Sequence, residues 1–316
     1  MTEIIAELCQ NHNGDIKIVE EMVHAAAESG ADYAKIQSMK SSELTHRLRF
    51  DEGLIEGGKT KVIKRPYKNE FERLSKLDLS EDDHSKFLDM CKKYKIKPMT
   101  TIFSYSNIDL VEKLGFKKVK ISSFDCASTG LLKEIVKRSF ESIIISTGAT
   151  FNREINQASQ ILKDSGKEYS MLHCVSIYPT PIEHAHLSRM NYLKKFSKKV
   201  GLSDHSNPEE SGNIIPAAAI YLGAELIEKH FTILPKDKTK DGPVSVNPLQ
   251  LKEIVSMKNM PNKELKNIID LKIKDHEVIL GMENRDLSDI ELLNRDYYQG
   301  RFASKKNNGD YHFNWD

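Results

Sequence analysis

Eight short apolar runs recur along the chain, each separated from the next by a stretch long enough for a crossover helix. They are EIIAEL (3–8), DYAKIQ (32–37), KPMTTIF (97–103), KKVKIS (117–122), SIIIST (142–147), YSMLHC (169–174), KVGLSD (199–204) and AELIEKHF (224–231). Such unbroken apolar character belongs to strands covered on both faces, as in a parallel sheet. Between them lie amphipathic segments, among them IVEEMVHAAAESG (18–30), with a Gly at the stop position. Another is SEDDHSKFLDMCKKY (80–94), where Ser80 and Asp83 have the spacing of a capping box. Eight strand–helix pairs predict an α/β fold, a (β/α)8 TIM barrel over residues 1–280 followed by a short C-terminal extension over 281–316.

A doubly wound open sheet is the competing arrangement, and the polar residues decide against it. Glu7, Lys35, Gln37, Thr101, Lys120, Ser146, His173, Ser203, His205 and His230 all fall at or just beyond C-terminal strand ends. In a barrel those ends converge on one mouth, where barrel active sites are built. Two stretches lie outside the repeat. Residues 41–79, charged and rich in turns (EGGKT, KRPYKNE), read as an extended loop without structure of its own. The tail NRDYYQGRFASKKNNGDYHFNWD has aromatics and turn residues but no clear period, and is expected to pack on the barrel or on a partner chain.

Composition removes some classes of function. Lys+Arg number 47 and Asp+Glu 46, a net charge of +1, so the chain lacks the basic excess of a nucleic-acid binder. Cys9, Cys91, Cys126 and Cys174 form no CxxC pair and read as free thiols in a reducing compartment. The start carries no signal-peptide pattern, and the apolar stretch from Ile214 to Ile227 is shorter than the roughly 20 residues a bilayer needs. A cytoplasmic protein with no membrane partner is expected. Walker and GxGxxG motifs are absent.

Lys35 and Lys120 end buried strands, and a lysine is almost never fully buried unless paired. Two lysines aimed into one mouth predict an anion between them. Ser123, Ser146 and Ser203 end neighbouring strands, and the Ser146-Thr147-Gly148 turn precedes a helix whose N–H groups favour phosphate. Taken singly each lysine reads as a rim residue; together they favour a phosphorylated ligand. His205 in GLSDHS and His230 in IEKHF follow adjacent strands, so their imidazoles can meet on a divalent metal such as manganese or zinc, or stand as a satisfied structural pair. Asp204, Glu228 and Glu7, on strands that end nearby, are placed to orient them or accept protons, and His173 and His12 are equally placed at strand ends. Lys229 as a Schiff-base nucleophile is disfavoured, because strand alternation prevents it and His230 from facing the same ligand.

The segments IIAELCQNHNGD, DYAKIQ, VKISSFDCAS, IISTGA, LHCVSIYPTP, VGLSDHS and IEKHFT stand in the order found in the sialic acid (N-acetylneuraminate) synthases, and the chain resembles that family over roughly residues 3–255. The resemblance implies a transferase of carbohydrate biosynthesis that condenses phosphoenolpyruvate with an N-acetylmannosamine-like amino sugar. The products are a nine-carbon keto acid and phosphate. It implies a divalent metal on His205 and His230, Mn2+ first, with Mg2+ or Co2+ as substitutes. By position, Lys35, Thr101, Lys120, Ser123, Ser146 and Ser203 match residues that hold phosphoenolpyruvate. Glu7 matches the acid near the reacting centre, and Asp125 stands where the family has the Glu that handles the attacking water. Gln37, Ser176, Tyr178 and Asp241 match sugar-side positions.

Several departures are visible. Ser176 replaces an asparagine, VKISSFD replaces K-I-G-S-G-E, and Asp241 precedes the Gly-Pro that the family follows with Asp. The family's small antifreeze-like C-terminal domain has no counterpart in the sequence; 281–316 reads as the remnant of the linker to it. Because that domain reaches across a dimer, a homodimer is left open. The alternatives are an octulosonate- or heptulosonate-type synthase that also uses phosphoenolpyruvate, or a non-catalytic barrel relative that binds a sugar or a partner.

Overall fold

The computed structural model describes residues 2–306 and 308–315; Met1, Asn307 and Asp316, which fall within the two ranges expected above, lie outside the described residues. Eight parallel strands close into a barrel: β1 (Glu3–Glu7), β2 (Tyr33–Ser38), β3 (Lys97–Ile102), β4 (Lys118–Ile121), β5 (Ser142–Ser146), β6 (Glu168–Cys174), β7 (Lys199–Asp204) and β8 (Leu226–His230). They run round the ring in sequence order, and β1 pairs with both β2 and β8 to close it. This is the TIM barrel expected from the repeat. No helix among the described residues is long and apolar enough to cross a membrane.

Alternation along each strand sorts side chains into two cores. Outward residues such as Ile4, Ala34, Val119, Ile143 and Ile145 pack under the helices in one large apolar cluster. Inward residues Ile5, Tyr33, Met99, Ile144, Leu172 and Leu226 form a separate plug in the lumen. Two residues further along the same strands, the inward positions turn polar: Glu7 after Ile5, Lys35 after Tyr33, Thr101 after Met99, Ser146 after Ile144 and Glu228 after Leu226. The plug therefore floors a polar mouth.

The helix after β1 runs Ile16–Glu28, and Gly30 just beyond it takes a positive φ of 83°. The helix Glu81–Lys93 opens with the capping box read from Ser80 and Asp83.

Residues 41–79 are not the structureless loop expected. They hold a 3-10 turn (Ser41–Glu43), a short helix (Arg49–Glu52), a hairpin (Leu54–Glu56 with Lys59–Val62) and a helix (Tyr67–Ser75). Gly57 and Gly58, with φ of 56° and 73°, make the hairpin's tight turn, a conformation that disfavours side chains. Its strands are mostly exposed, so no apolar alternation announced them. The tail also has structure: a helix over Asp289–Tyr298, opened by a capping box of Ser288 and Glu291, then an antiparallel pair, β9 (Ala303–Lys305) and β10 (Tyr311–Phe313). That helix buries Glu291 and Tyr297 rather than an apolar stripe, so its period is faint in the sequence.

Insert and tail are laced together. Leu44 bridges Phe302, Thr45 N donates to Arg301 O at 2.9 Å, and Arg47 Nη1 donates to Gln299 O at 2.8 Å. Arg295 forks onto Glu154 (2.9 and 2.6 Å), tying the tail helix to the barrel. The two segments excluded from the repeat thus build the rim of the mouth.

Candidate active site

A cavity of about 550 Å³ opens at the C-terminal ends of the strands. Glu7, Gln37, Lys35, Thr101, Lys120, Ser123, Ser146, Ser203, His205 and His230 line it, with Tyr178 and Asp241 nearer the rim. Of the fourteen site residues that the resemblance assigns, it leaves out Asp125 and Ser176.

At its floor stands Glu228, expected from the sequence only as an acid beside the histidines. Glu228 Oε1 accepts from Lys120 Nζ and, at 2.9 Å, from Ser203 Oγ, while Oε2 lies 3.6 Å from Lys35 Nζ. Lys35 also pairs with Glu7 and donates to Thr101 Oγ1 at 2.9 Å. Burial draws the Lys35 ammonium down to about 7, against the pull of Glu228 and with help from Lys120. Burial would raise Glu228, but Lys120 and Lys35 together hold its carboxyl well below the usual range. Two cations and two carboxylates thus share a desolvated floor, balanced in charge before any ligand arrives.

Above this floor the mouth offers polar atoms without partners. Ser146 Oγ is buried and makes no hydrogen bond among the described residues. Gly148 N donates to Ser123 Oγ at 3.0 Å. A Cβ on Gly148 would meet Ser176 Oγ at 2.5 Å, Cys174 Sγ at 2.9 Å and Ser123 Oγ at 3.0 Å, so only glycine fits where β5 meets its loop.

His205 and His230 do meet: their rings stand 5.2 Å apart, edge to face. Burial lowers His205 to about 4 and His230 well below its usual value, so both imidazoles are neutral at pH 7, as metal ligation requires. His230 Nδ1 is buried with no hydrogen-bond partner among the described residues. The donor atoms that gather within 4.8 Å of one another are those of His230, Cys9 and Asp241, and such a mixture of imidazole, thiol and carboxylate fits a divalent cation.

Other histidines and acids are accounted for elsewhere. His173 Nε2 pairs with Ala185 O at 2.7 Å behind the barrel wall, and His12 Nδ1 accepts from Gly14 N at 3.0 Å. Asp204 faces outward to Lys229 (2.6 Å), whose ammonium also donates to Ser206 O. Lys229 therefore points away from the lumen, as alternation with His230 demanded. Asp125 is sealed beneath the tail, accepting from Ser122 Oγ (2.6 Å) and Asn314 Nδ2 (2.8 Å), and burial raises its carboxyl to about 6. Ser176 lies under the tail helix, its carbonyl accepting from Asn294 Nδ2 at 2.8 Å.

The rim adds residues no motif announced. Arg65 from the insert and Tyr298, Asn294 and Arg301 from the tail line the cavity together with Lys240. Tyr298 stacks on Phe124 at 4.6 Å and its hydroxyl accepts from Arg65 Nη1 at 2.5 Å. Arg301 donates to Glu70, which also receives a fork from Arg73 (2.9 and 2.8 Å).

Residues 22–269 match the model of the NeuB family. The chain belongs to the NeuB family. It is 32% identical over 321 aligned residues to the N,N'-diacetyllegionaminic acid synthase of Legionella pneumophila, covering 96% of this chain and 83% of that one. The synthase of the same name from Campylobacter jejuni is 32% identical over 97% of this chain and 89% of its own. Among solved structures, the N-acetylneuraminic acid synthetase of Leptospira borgpetersenii, crystallised with citrate, superposes with a TM-score of 0.71 at 26% identity. The superposition covers 94% of this chain and 90% of that one. Membership of the family agrees with the resemblance carried by the ordered motifs.

Proposed function

We propose that this NeuB-family chain condenses phosphoenolpyruvate with an acetamido sugar, giving a nonulosonic acid and phosphate. The observation that carries this reading is the pair Lys35 and Lys120 on the mouth floor, beside Ser146 and Ser203 and beneath the two histidines. A small dianion entering there meets both ammoniums at once, loosening their hold on Glu228 and Glu7. Lys35 and Lys120 then neutralise its carboxylate and phosphate, while the Ser146 and Ser203 hydroxyls orient it. The acceptor lies above, against Gln37 and Tyr178, with its aldehyde toward His205 and His230. His230 and its neighbours would hold a divalent cation, which would supply Lewis-acid polarisation of the aldehyde oxygen.

Of the two acids carried over, Glu7 and Asp125, the lining of the cavity favours Glu7 for activating water. It lines the mouth, accepts from the Cys9 backbone N–H at 2.8 Å and pairs with Lys35, contacts that hold its carboxylate in place to take a proton from the attacking water. Asp125, buried under Asn314, serves as the tail's anchor instead. Carbon–carbon bond formation leaves a cationic carbon on the former enol; water adds to it, and the tetrahedral intermediate expels phosphate.

Phosphate release from phosphoenolpyruvate in the presence of Mn2+ and a panel of aldoses tests the reading. Release with N-acetylmannosamine or a diacetamido deoxy-hexose supports it. Release only with pentose or tetrose phosphates would reassign the chain to octulosonate or heptulosonate chemistry. No release with any aldose would leave a non-catalytic sugar-binding barrel. A second reading of the acceptor is supported by the rim: Arg65, Lys240 and Arg301 concentrate positive charge above the sugar position, which suits an acetamido sugar carrying a phosphate. Including N-acetylmannosamine 6-phosphate in the panel separates the two.

A further inference from the structure

The sequence offered two histidines for a cation, yet the atoms that converge most closely are a different set. Cys9 follows β1 at the edge of the mouth, 3% exposed and held in the left-handed region at φ 48°. Its Sγ lies 2.7 Å from Asp241 Oδ2 and receives Gln37 Nε2 at 3.0 Å. Asp241 arrives from the loop after β8, which brings it over His230. The three donor atoms, Cys9 Sγ, a His230 ring nitrogen and an Asp241 carboxylate oxygen, all fall within 4.8 Å of one another. Ligands held about 2.0–2.3 Å from a common ion sit roughly 3.3–3.8 Å apart in a tetrahedron, so small side-chain rotations suffice.

A second, independent observation points to a ligand there. His230 is 8% exposed, and its Nδ1 is buried without a hydrogen-bond partner among the described residues. A buried ring nitrogen with no partner is rare, because the desolvation is uncompensated. A metal lone-pair bond compensates it.

We propose that Cys9 and Asp241 are metal ligands with His230, forming a thiolate-, carboxylate- and imidazole-lined site beside His205. This deepens the synthase reading by naming the cation's protein ligands, and it moves Asp241 from the sugar to the metal. On binding, the Cys9 S–H bond breaks, its proton passes to solvent and sulfur bonds the metal. One thiolate and one carboxylate then neutralise a divalent charge inside a pocket whose floor is already balanced. Gln37, which donates to Cys9 Sγ, becomes the group that orients the sulfur. Thiolate in the set shifts preference toward softer ions, so Co2+ and Zn2+ bind more tightly than Mn2+.

The test uses the intact, metal-stripped protein titrated with Co2+ and, separately, Zn2+ and Mn2+, by absorption and calorimetry. The expected result is one equivalent of Co2+ with a near-ultraviolet thiolate-to-cobalt charge-transfer band. That band should vanish in Cys9→Ser and persist in Asp241→Asn, with both variants losing at least tenfold in Co2+ affinity. Cys91→Ser, buried between helices far from the mouth, controls for thiol content and keeps the band. Circular dichroism and thermal melting confirm that each variant folds. A wild-type protein that binds Co2+ without the band, or a Cys9→Ser variant of unchanged affinity, overturns the assignment. Failure of the synthase reading would look different: the band would be present while no aldose released phosphate.

Discussion

Lys120 and Glu228 form an ion pair across the width of the barrel, from β4 to β8, which stand opposite each other in the ring of eight. Glu228 also faces Lys35 from β2 and accepts from Ser203 on β7, so four strands meet on one carboxylate. Replacing it removes the counter-charge of two buried ammoniums. Glu228→Ala should cost about 3–5 kcal/mol of stability, the range for a buried pair that loses one partner. Chemical denaturation measures this. Inorganic phosphate should then raise the variant's melting temperature more than the wild type's, since an anion can occupy the place of the lost carboxylate. An equal shift in both proteins would show that the lysines do not await an anion.

Lys35 gives the site a pH dependence of its own. Burial sets its ammonium at about 7 in the ligand-free protein, below its usual value. Above that pH the amine is neutral and contributes no charge to phosphoenolpyruvate. The ratio kcat/KM for phosphoenolpyruvate is expected to decline on the alkaline side of about pH 7, with the KM for the acceptor unaffected. In Lys35→Arg, where the guanidinium stays charged, that limb should move to higher pH even if the maximal rate falls. Steady-state kinetics across pH 6–9, at saturating acceptor, decides it.

The barrel was legible because its strands are covered on both faces and so read as continuous apolar runs; KVGLSD and β7 coincide at Lys199–Asp204. The inner site was legible for the same reason, since a lysine or serine interrupting such a run must find a polar lumen. Glu228 was open to the same logic. It is two residues before His230 on one strand, and parity alone places both inside. The rim was not legible. Arg65, Tyr298 and Arg301 reach the mouth through contacts more than 200 residues apart in sequence, such as Arg65 to Tyr298 and Arg301 to Glu70, and no local period encodes them. The surroundings of Asp125 were hidden for a related reason: its position matches the family's acid, and the tail residue that covers it, Asn314, lies 189 residues away in sequence.

Arg301 should act on the acceptor and not on phosphoenolpyruvate. It lines the cavity, as do Lys35 and Lys120, the two lysines proposed to hold the dianion. Arg301→Ala leaves Glu70 paired with Arg73, so the fold is kept. A hydrogen bond to a charged group contributes about 1.5–3 kcal/mol, which corresponds to a roughly 10- to 150-fold rise in the acceptor KM. The KM for phosphoenolpyruvate should stay within about twofold. If both constants rose together, Arg301 would be supporting the mouth as a whole.

Acid sensitivity should follow from buried histidines that do not line the cavity. His173 is buried against Ala185 O, and burial lowers it to about 3; His12 is lowered to about 4 by the same cause. A histidine whose folded pKa is depressed gives stability that is fully present above its unfolded value near 6.5. That stability is lost as pH falls toward the folded value, because the unfolded chain takes up the proton first. At pH 4.5, two units below 6.5, a group such as His173 costs roughly 2.7 kcal/mol relative to neutral pH. His173→Gln keeps a donor for Ala185 O but cannot take a proton. Its melting temperature should therefore fall less steeply than the wild type's between pH 6.5 and 4.5, even if it starts lower at pH 7.5. Parallel melting curves over that window would remove His173 as a source of the acid limb.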